Sequence, residues 1–316
     1  MNSDRRTFLK NFALIGGSIG LSTLVPFPSF SFDEKPDLKI SLAEWSLHKA
    51  LFSGKIQHIE FPTIARSYGI DAVEYVNQFF KDKARDHYYL TSLKDRAEDA
   101  GVKSLLIMVD GEGSLADPDK NVRQIAVENH YKWVEAAKFL NCHSVRVNLL
   151  GSTQPEEWHK AAVDSLGKLG EYGQMYQINI IVENHGQLSS NSGLLVNVIK
   201  EVNNPFCGTL PDFGNFCLQR EKGDLYDSPC VQHYDKYKGV EEMLPYAKGV
   251  SAKSFDFDSK GNETTIDFKK MLQLVIKSGY SGYIGIEYEG TRMSEEQGIR
   301  ATKKLLEATL KELNAK

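Results

Sequence analysis

The sequence predicts an α/β fold, a (β/α)8 TIM barrel, and three observations carry that prediction. Eight short apolar runs alternate with segments of helical apolar spacing, the order that calls for a parallel sheet. The unit repeats at roughly 30 residues, enough for a strand, a crossover helix and two loops. Beyond the first 35 of its 316 residues, the chain is close to the ~250 residues such a barrel usually takes.

The strand-like runs are LKISLAEW (38–45), IDAVEYV (70–76), VKSLLIMV (102–109), HSVRVNLL (143–150), INIIVEN (178–184), CGTLPDF (207–213), GVSAKSFDF (249–257) and GYIGIEYEG (282–290). Between them, NVRQIAVENHYKWVEAAKFL (121–140) places Val122, Ile125, Val127, Trp133, Val134, Ala137 and Phe139 on one broad apolar face. PEEWHKAAVDSLGKLGEYGQMYQ (155–177) opens with Pro155 and two acids, which suit a first helical turn. IDFKKMLQLVIKSG (266–279) ends on Gly279, a C′ residue by type. A doubly wound open sheet is the alternative, but it needs a glycine-rich turn after an early strand, and EWSLHKALFSG offers none.

Residues 1–35 read as an export signal and linker, leaving 36–316 as the barrel domain. Paired Arg5 and Arg6 precede Phe8, Leu9, Lys10 and a mild apolar run, a charged start and short apolar segment that mark a targeting signal. RRTFLK resembles the twin-arginine signal, with Asp4 where Ser is more common. An ordinary secretory signal or a retained anchor is the competing reading. The expectation is an exported, periplasmic protein without stable membrane insertion once the signal is removed.

A net charge of −4 argues against nucleic acid, whose backbone calls for a basic face. The spacing of the four cysteines fits no zinc pattern. Buried free thiols are the favoured reading, and a pair among Cys207, Cys217 and Cys230 stays open.

Polar residues recur where these strands end, and active sites of this fold sit at the C-terminal ends of the strands. Alternation puts Gly285, Glu287 and Glu289 on one strand face, and likewise Glu183 and His185. Asp212 closes the sixth strand, Glu74 lies near the end of the second, the fourth carries Arg146 and Asn148, and the seventh carries Ser251 and Lys253. Several acids aimed at one space repel unless a cation or shared protons hold them, and a divalent metal is the simplest solution. Trp45 and His48 follow the first strand as candidate sugar contacts. The segment 217–243 reads as an insertion over the barrel mouth, with His233, Tyr234, Asp235 and Tyr237 facing a polyol, or else as a solvated loop. Glu289 is expected to bind substrate or to pair with a base such as Arg292.

The stretches IIVENHG (180–186), LPDFGNF (210–216), VSAKSFDF (250–257) and GYIGIEYEG (282–290) resemble the sugar isomerase and epimerase group with a xylose isomerase-like barrel. The resemblance implies one divalent ion (Mn, Mg, Co or Zn) held by Glu183, Asp212 and Glu287. The group's fourth ligand, a His on the seventh strand, is here Ser251, and a second His three residues after the sixth-strand Asp is here Asn215. Ser251, Asn215, His185 or Glu289 is then left to complete the shell or to support it. By the same resemblance Glu183 and Glu287 are the acid/base pair beside a carbonyl, and Lys253, Arg146, Trp45, His48, Glu74 and His233 are candidates for contacting a small-molecule sugar. The implied function is metal-dependent isomerisation or epimerisation of a sugar or keto-sugar. Elimination on an oxidised sugar or glycoside is the alternative within the same site, and a non-catalytic sugar-binding barrel the alternative outside it. A nuclease on this barrel would use a His-rich metal cluster, and the chain has eight His in all. The sequence leaves the oligomeric state open.

Overall fold

In the computed structural model, which describes residues 36–315 apart from Tyr226, β1 (Leu38–Ala43), β2 (Ala72–Val76), β3 (Lys103–Met108), β4 (Ser144–Val147), β5 (Asn179–Glu183), β6 (Cys207–Leu210), β9 (Val250–Ser254) and β10 (Gly282–Tyr288) form one sheet. Its order is β6-β5-β4-β3-β2-β1-β10-β9, with every pairing parallel. The two ends meet through parallel bridges at Thr209–Ala247 and Asp212–Ser251. There Ser251 N donates to Pro211 O at 2.9 Å and Phe213 N to Ser251 O at 3.1 Å. The seam that closes the barrel is therefore built by two of the expected site residues. The export signal expected in residues 1–35 lies outside the described residues.

Helices α1 (His48–Phe52), α2 (Phe61–Ser67), α3 (His87–Asp99), α4 (Lys120–Phe139), α5 (Pro155–Tyr176), α6 (Ser192–Val202), α7 (Lys236–Met243), α8 (Phe268–Lys277) and α9 (Glu295–Asn314) accompany the strands. The side chains of Asp86, Asp119, Asn191, Asp235, Asp267 and Ser294 accept backbone N–H groups at helix starts, each worth ~1 kcal/mol. α5 opens at Pro155, and Gly279 follows α8 with φ of 76°, as the sequence suggested. In α4 the buried stripe runs through Ala126, Val127, His130, Trp133, Val134 and Ala137. Val122 and Ile125 were expected on it, but both are exposed. Ile125 stands about 100° round the helix from Ala126, and Val122 falls in the first turn.

Alternation along the strands makes two cores. Strand side chains facing the helices, among them Tyr75 and Ile286, pack with helix residues such as Trp133 and Trp158 in the large outer one. Inside the barrel, Ala43, Val76, Leu106, Met108, Ile181 and Leu210 pack together, with Trp45 and Phe79 against them. Packed interior layers of this kind make the barrel a support for its mouth, not a pore.

Between β6 and β9 the chain adds an antiparallel hairpin, β7 (Cys217–Arg220) and β8 (Cys230–His233), crossed by a Cys217–Cys230 disulfide. This corrects the favoured reading of four free thiols: Cys142 and Cys207 are free and buried, but the hairpin register brings the other two together.

Candidate active site at the barrel mouth

Strand β10 sets the depth of the site. Gly285 faces inward above Glu74 of β2, so close that a Cβ there would lie 2.5 Å from Glu74 Oε1. Ser41 Oγ donates to the same oxygen at 2.6 Å, and burial pushes the Glu74 carboxyl up to about 7. Glu74 thus lies beneath the cavity and does not line it.

One pleat higher, Glu287 joins Glu183 from β5 and Asp212 from the β6 end. All three are buried, and one carboxylate oxygen from each lies within 4.8 Å of the others. Asp212 Oδ1 accepts from the N–H groups of Gly214 and Asn215, both at 2.8 Å. Its Oδ2 accepts from Ser251 Oγ at 2.6 Å, and the same hydroxyl lies 2.8 Å from Glu287 Oε2. A hydroxyl has a single proton, so one of those two contacts needs a protonated carboxyl. Burial supplies the reason for one: it raises Asp212 to about 8 and, with Arg146 opposing, Glu183 to about 7.

Two buried cations brace the acids. Lys253 Nζ lies 3.1 Å from Glu287 Oε1 and 2.9 Å from Glu289 Oε1. Burial opposes its charge, but the surrounding carboxylates raise its pKa well above the usual range. Arg146 Nε stands 2.9 Å from Glu183 Oε2, in ion-pair contact without hydrogen-bond geometry. Its Nη1 donates to Asp110 Oδ1 at 2.7 Å. Asp110 is mostly buried, which works against ionisation, yet Arg146 beside it holds its carboxyl well below the carboxylate range.

Asn184 and Asn215 fix the geometry of the carboxylates. Asn184 Nδ2 donates to the carbonyls of Asp212 (3.0 Å) and Asn215 (3.1 Å), while its Oδ1 accepts from Asp212 N at 2.8 Å. Asn215 Nδ2 then donates to Glu183 Oε1 at 2.9 Å. Ser251 and Asn215 therefore stand in the triad's hydrogen-bond shell, bridging the carboxylates they neighbour.

The donor set fits a divalent cation. Three buried carboxylates and a hydroxyl converge, Glu183 Oε2 has no hydrogen bond among the described residues, and the cluster needs a shared proton that a cation can replace. Oxygen donors alone suit a hard ion such as Mg²⁺ or Mn²⁺. Glu183, Asp212 and Glu287 would hold it, with Ser251 Oγ at hand.

Above this floor opens a cavity of about 610 Å³. Trp45, His48, Arg146, His185, Lys253, Glu287 and Glu289 all reach its wall. Burial lowers His185 to about 4, leaving a neutral ring. Trp45 and His48 stack, with centroids 5.0 Å apart and planes at 12°. His233 is exposed on β8 and does not line the cavity. Nor do Tyr234, Asp235 and Tyr237, which serve the fold: Tyr234 Oη donates to Glu242, Asp235 caps α7, and Tyr237 Oη accepts from Asp267 N. The insertion instead contributes Cys217, Arg220 and Leu225. Glu289 pairs with Lys253, whereas Arg292 pairs with Asp256 at 3.0 Å, because alternation keeps Lys253 and Glu289 on the inner face.

Asp110 was missed. It sits in a VDGEG stretch that reads as a turn, yet it continues the inward alternation of Leu106 and Met108. Asn148 Nδ2 donates to it at 2.6 Å, and Asn148 Oδ1 is buried without a partner among the described residues.

Eight parallel strands with polar side chains gathered at their C-terminal ends define a TIM barrel with a carboxylate centre. The chain belongs to the family described as Xylose isomerase-like TIM barrel, whose model matches residues 62–309. Among solved structures, it is similar to the IOLI protein with a binding zinc atom (TM-score 0.66, 15% identity, 87% of this chain and 98% of that one). It is also similar to the 3-keto-D-glucoside 4-epimerase YcjR from E. coli (TM-score 0.64, 12% identity, 87% and 100%). At such identities the likeness is one of fold. A curated relative, the C-glycoside deglycosidase alpha subunit of Arthrobacter globiformis, is 37% identical over 49 residues, 16% of this chain and 14% of that protein.

Proposed function

We propose that the protein is a metal-dependent isomerase or epimerase of a sugar or keto-sugar. The observation that carries this reading is the buried triad of Glu183, Asp212 and Glu287, with oxygens within 4.8 Å, under a 610 Å³ cavity. When bound, a divalent cation supplies Lewis-acid polarisation of a carbonyl. Glu183, flanking the same space, can take or return a proton at the adjacent carbon. Glu287 flanks the same space and completes the exchange, while Lys253 and Asn148, both on the cavity wall, orient sugar oxygens. The epimerase named among the similar structures supports this chemistry.

Elimination is the second reading, because the same proton removal can end in loss of a neighbouring substituent. The 49-residue similarity to a deglycosidase subunit favours it. One experiment tests both. Mg²⁺-supplemented protein is incubated in D₂O with a panel of aldoses, ketoses and 3-keto-glucosides, and products are analysed by mass spectrometry. Deuterium beside the carbonyl at unchanged composition supports epimerisation or isomerisation, and loss of the substituent supports elimination. Both should vanish in Glu183→Gln and Glu287→Gln. No exchange with any substrate would leave a sugar-binding barrel.

Export by the twin-arginine route belongs to the same proposal. It rests on Arg5 and Arg6, and the Cys217–Cys230 disulfide suits an oxidising compartment. Replacing both arginines with lysine should retain the protein in the cytoplasm upon cell fractionation; unchanged export would remove this part.

A further inference from the structure

We propose that the mouth contains a second subsite, for an apolar aromatic aglycone, so that the substrate is a glycoside and not a free sugar. The inference rests on the sugar-processing reading and adds the substrate class. Charge at the mouth is unevenly distributed. The arc from β4 to β10 carries Arg146, Glu183, Asp212, Lys253, Glu287 and Glu289. The arc from β1 to β3 adds Gln78 and Asp110 to the lining, but its Trp45 and Phe79 are packed on the buried apolar side chains of Ala43, Val76 and Met108. Phe52, edge-on to Trp45 at 5.9 Å and 59% exposed, carries that apolar surface out to solvent.

The facing wall, polar at His185, Asn215 and Arg220, also carries apolar side chains. β1 and β5 are four places apart around eight strands, so Trp45, just after β1, looks across the mouth towards the end of β5. There Leu225 stands over Gly186, where a Cβ would lie 3.8 Å from Leu225 Cδ2. Phe255, after β9, continues this wall into the cavity lining. Leu225 is not on a loose loop. Arg220 Nε donates to Leu225 O at 2.7 Å and its Nη1 to Ser228 O at 2.6 Å, and the Cys217–Cys230 disulfide crosses the hairpin. A wall ordered before binding loses little entropy on contact with a ligand. A space of 610 Å³ lies in the range that encloses a drug-sized ligand, so a sugar ring on the charged floor leaves room for a flat apolar group between Trp45 and Leu225.

The test is calorimetric binding of phenyl and methyl β-D-glucopyranosides, with their galacto and xylo counterparts, to the Mg²⁺-supplemented protein. Trp45 provides a second readout, since Trp133 and Trp158 are fully buried and quenching by a cavity ligand falls on Trp45. The expected phenyl-over-methyl preference is about tenfold in at least one configuration, the gain from burying an aromatic ring. Trp45→Ala and Leu225→Ser should each bring that ratio close to one, and reduction of the disulfide should lower it. Equal affinity of phenyl and methyl partners overturns the proposal, as does a ratio unchanged in both variants. Absence of binding by every glycoside also overturns it. If free sugars still exchange deuterium, the catalytic reading survives that result; if they do not, both fall together.

Discussion

Ser251 Oγ lies 2.6 Å from Asp212 Oδ2, at the strand position where the resemblance to sugar isomerases leads to the expectation of a histidine. The contact occupies the closing seam of the barrel, where Asp212 and Ser251 form a parallel bridge. A hydroxyl there joins two carboxylates that would otherwise face each other. Ser251→Ala should destabilise the metal-free protein by about 1–3 kcal/mol, the cost of a lost buried hydrogen bond. It should also increase the stabilisation gained on adding Mn²⁺. Urea unfolding with and without the ion measures both quantities.

The acids give the metal-free protein a pH dependence whose sign follows from their shifts. Asp212 at about 8 and Glu183 at about 7 retain protons that unfolded carboxyls lose near 4. The folded state then binds more protons, so this contribution to stability is lost as pH rises from about 4 to about 8. Asp110 and Glu289 are held low by Arg146 and Lys253 despite their burial, and they act in the opposite sense only at acid pH. Thermal unfolding without metal should weaken between pH 5 and 8, and saturating Mg²⁺ or Mn²⁺ should flatten the decline. Uptake of the ion should release protons, seen as a calorimetric enthalpy that depends on the buffer.

Arg146 joins Glu183 and Asp110 at the base of the mouth, with 2.9 Å and 2.7 Å contacts. Removing one member of such a buried group leaves a charge without compensation, at about 3–5 kcal/mol. Arg146→Ala is expected to fall in that range by denaturant unfolding. Adding Asp110→Asn should recover part of the loss, because the orphaned charge is then gone.

Gly285 is expected to tolerate no side chain. A methyl group at this position would lie 2.5 Å from Glu74 Oε1, so Gly285→Ala must displace a buried carboxyl, costing about 1–3 kcal/mol. The double substitution Gly285→Ala with Glu74→Gly should restore stability relative to Gly285→Ala alone.

Much of this arrangement was legible in the chain. The alternation of strand and helix announced the barrel because each strand needs an apolar run and each helix an apolar stripe. Glu183, Asp212 and Glu287 were legible because they end such runs. What the sequence hid was decided by contacts between distant segments. Lys253, not Arg292, reaches Glu289, since two neighbouring strands share an inner face. The hairpin of β7 and β8 has four-residue strands in which no side chain is fully buried, so no apolar period marks it. Asp110 hid in a turn-like stretch, and Glu74 lies one layer deeper than its position near a strand end suggested.

Titration of metal-free wild-type protein with Mn²⁺ by calorimetry, repeated in Glu287→Gln and Glu289→Gln, bears most directly on the carboxylate centre. Glu287 lies in the triad, whereas Glu289 is spent on Lys253 at the rim. The expected result is one tight site in the wild type, lost in Glu287→Gln together with activity. Glu289→Gln should keep the site and change chiefly substrate affinity. No saturable site in the wild type, or equal loss in both variants, would contradict a cation held by Glu183, Asp212 and Glu287.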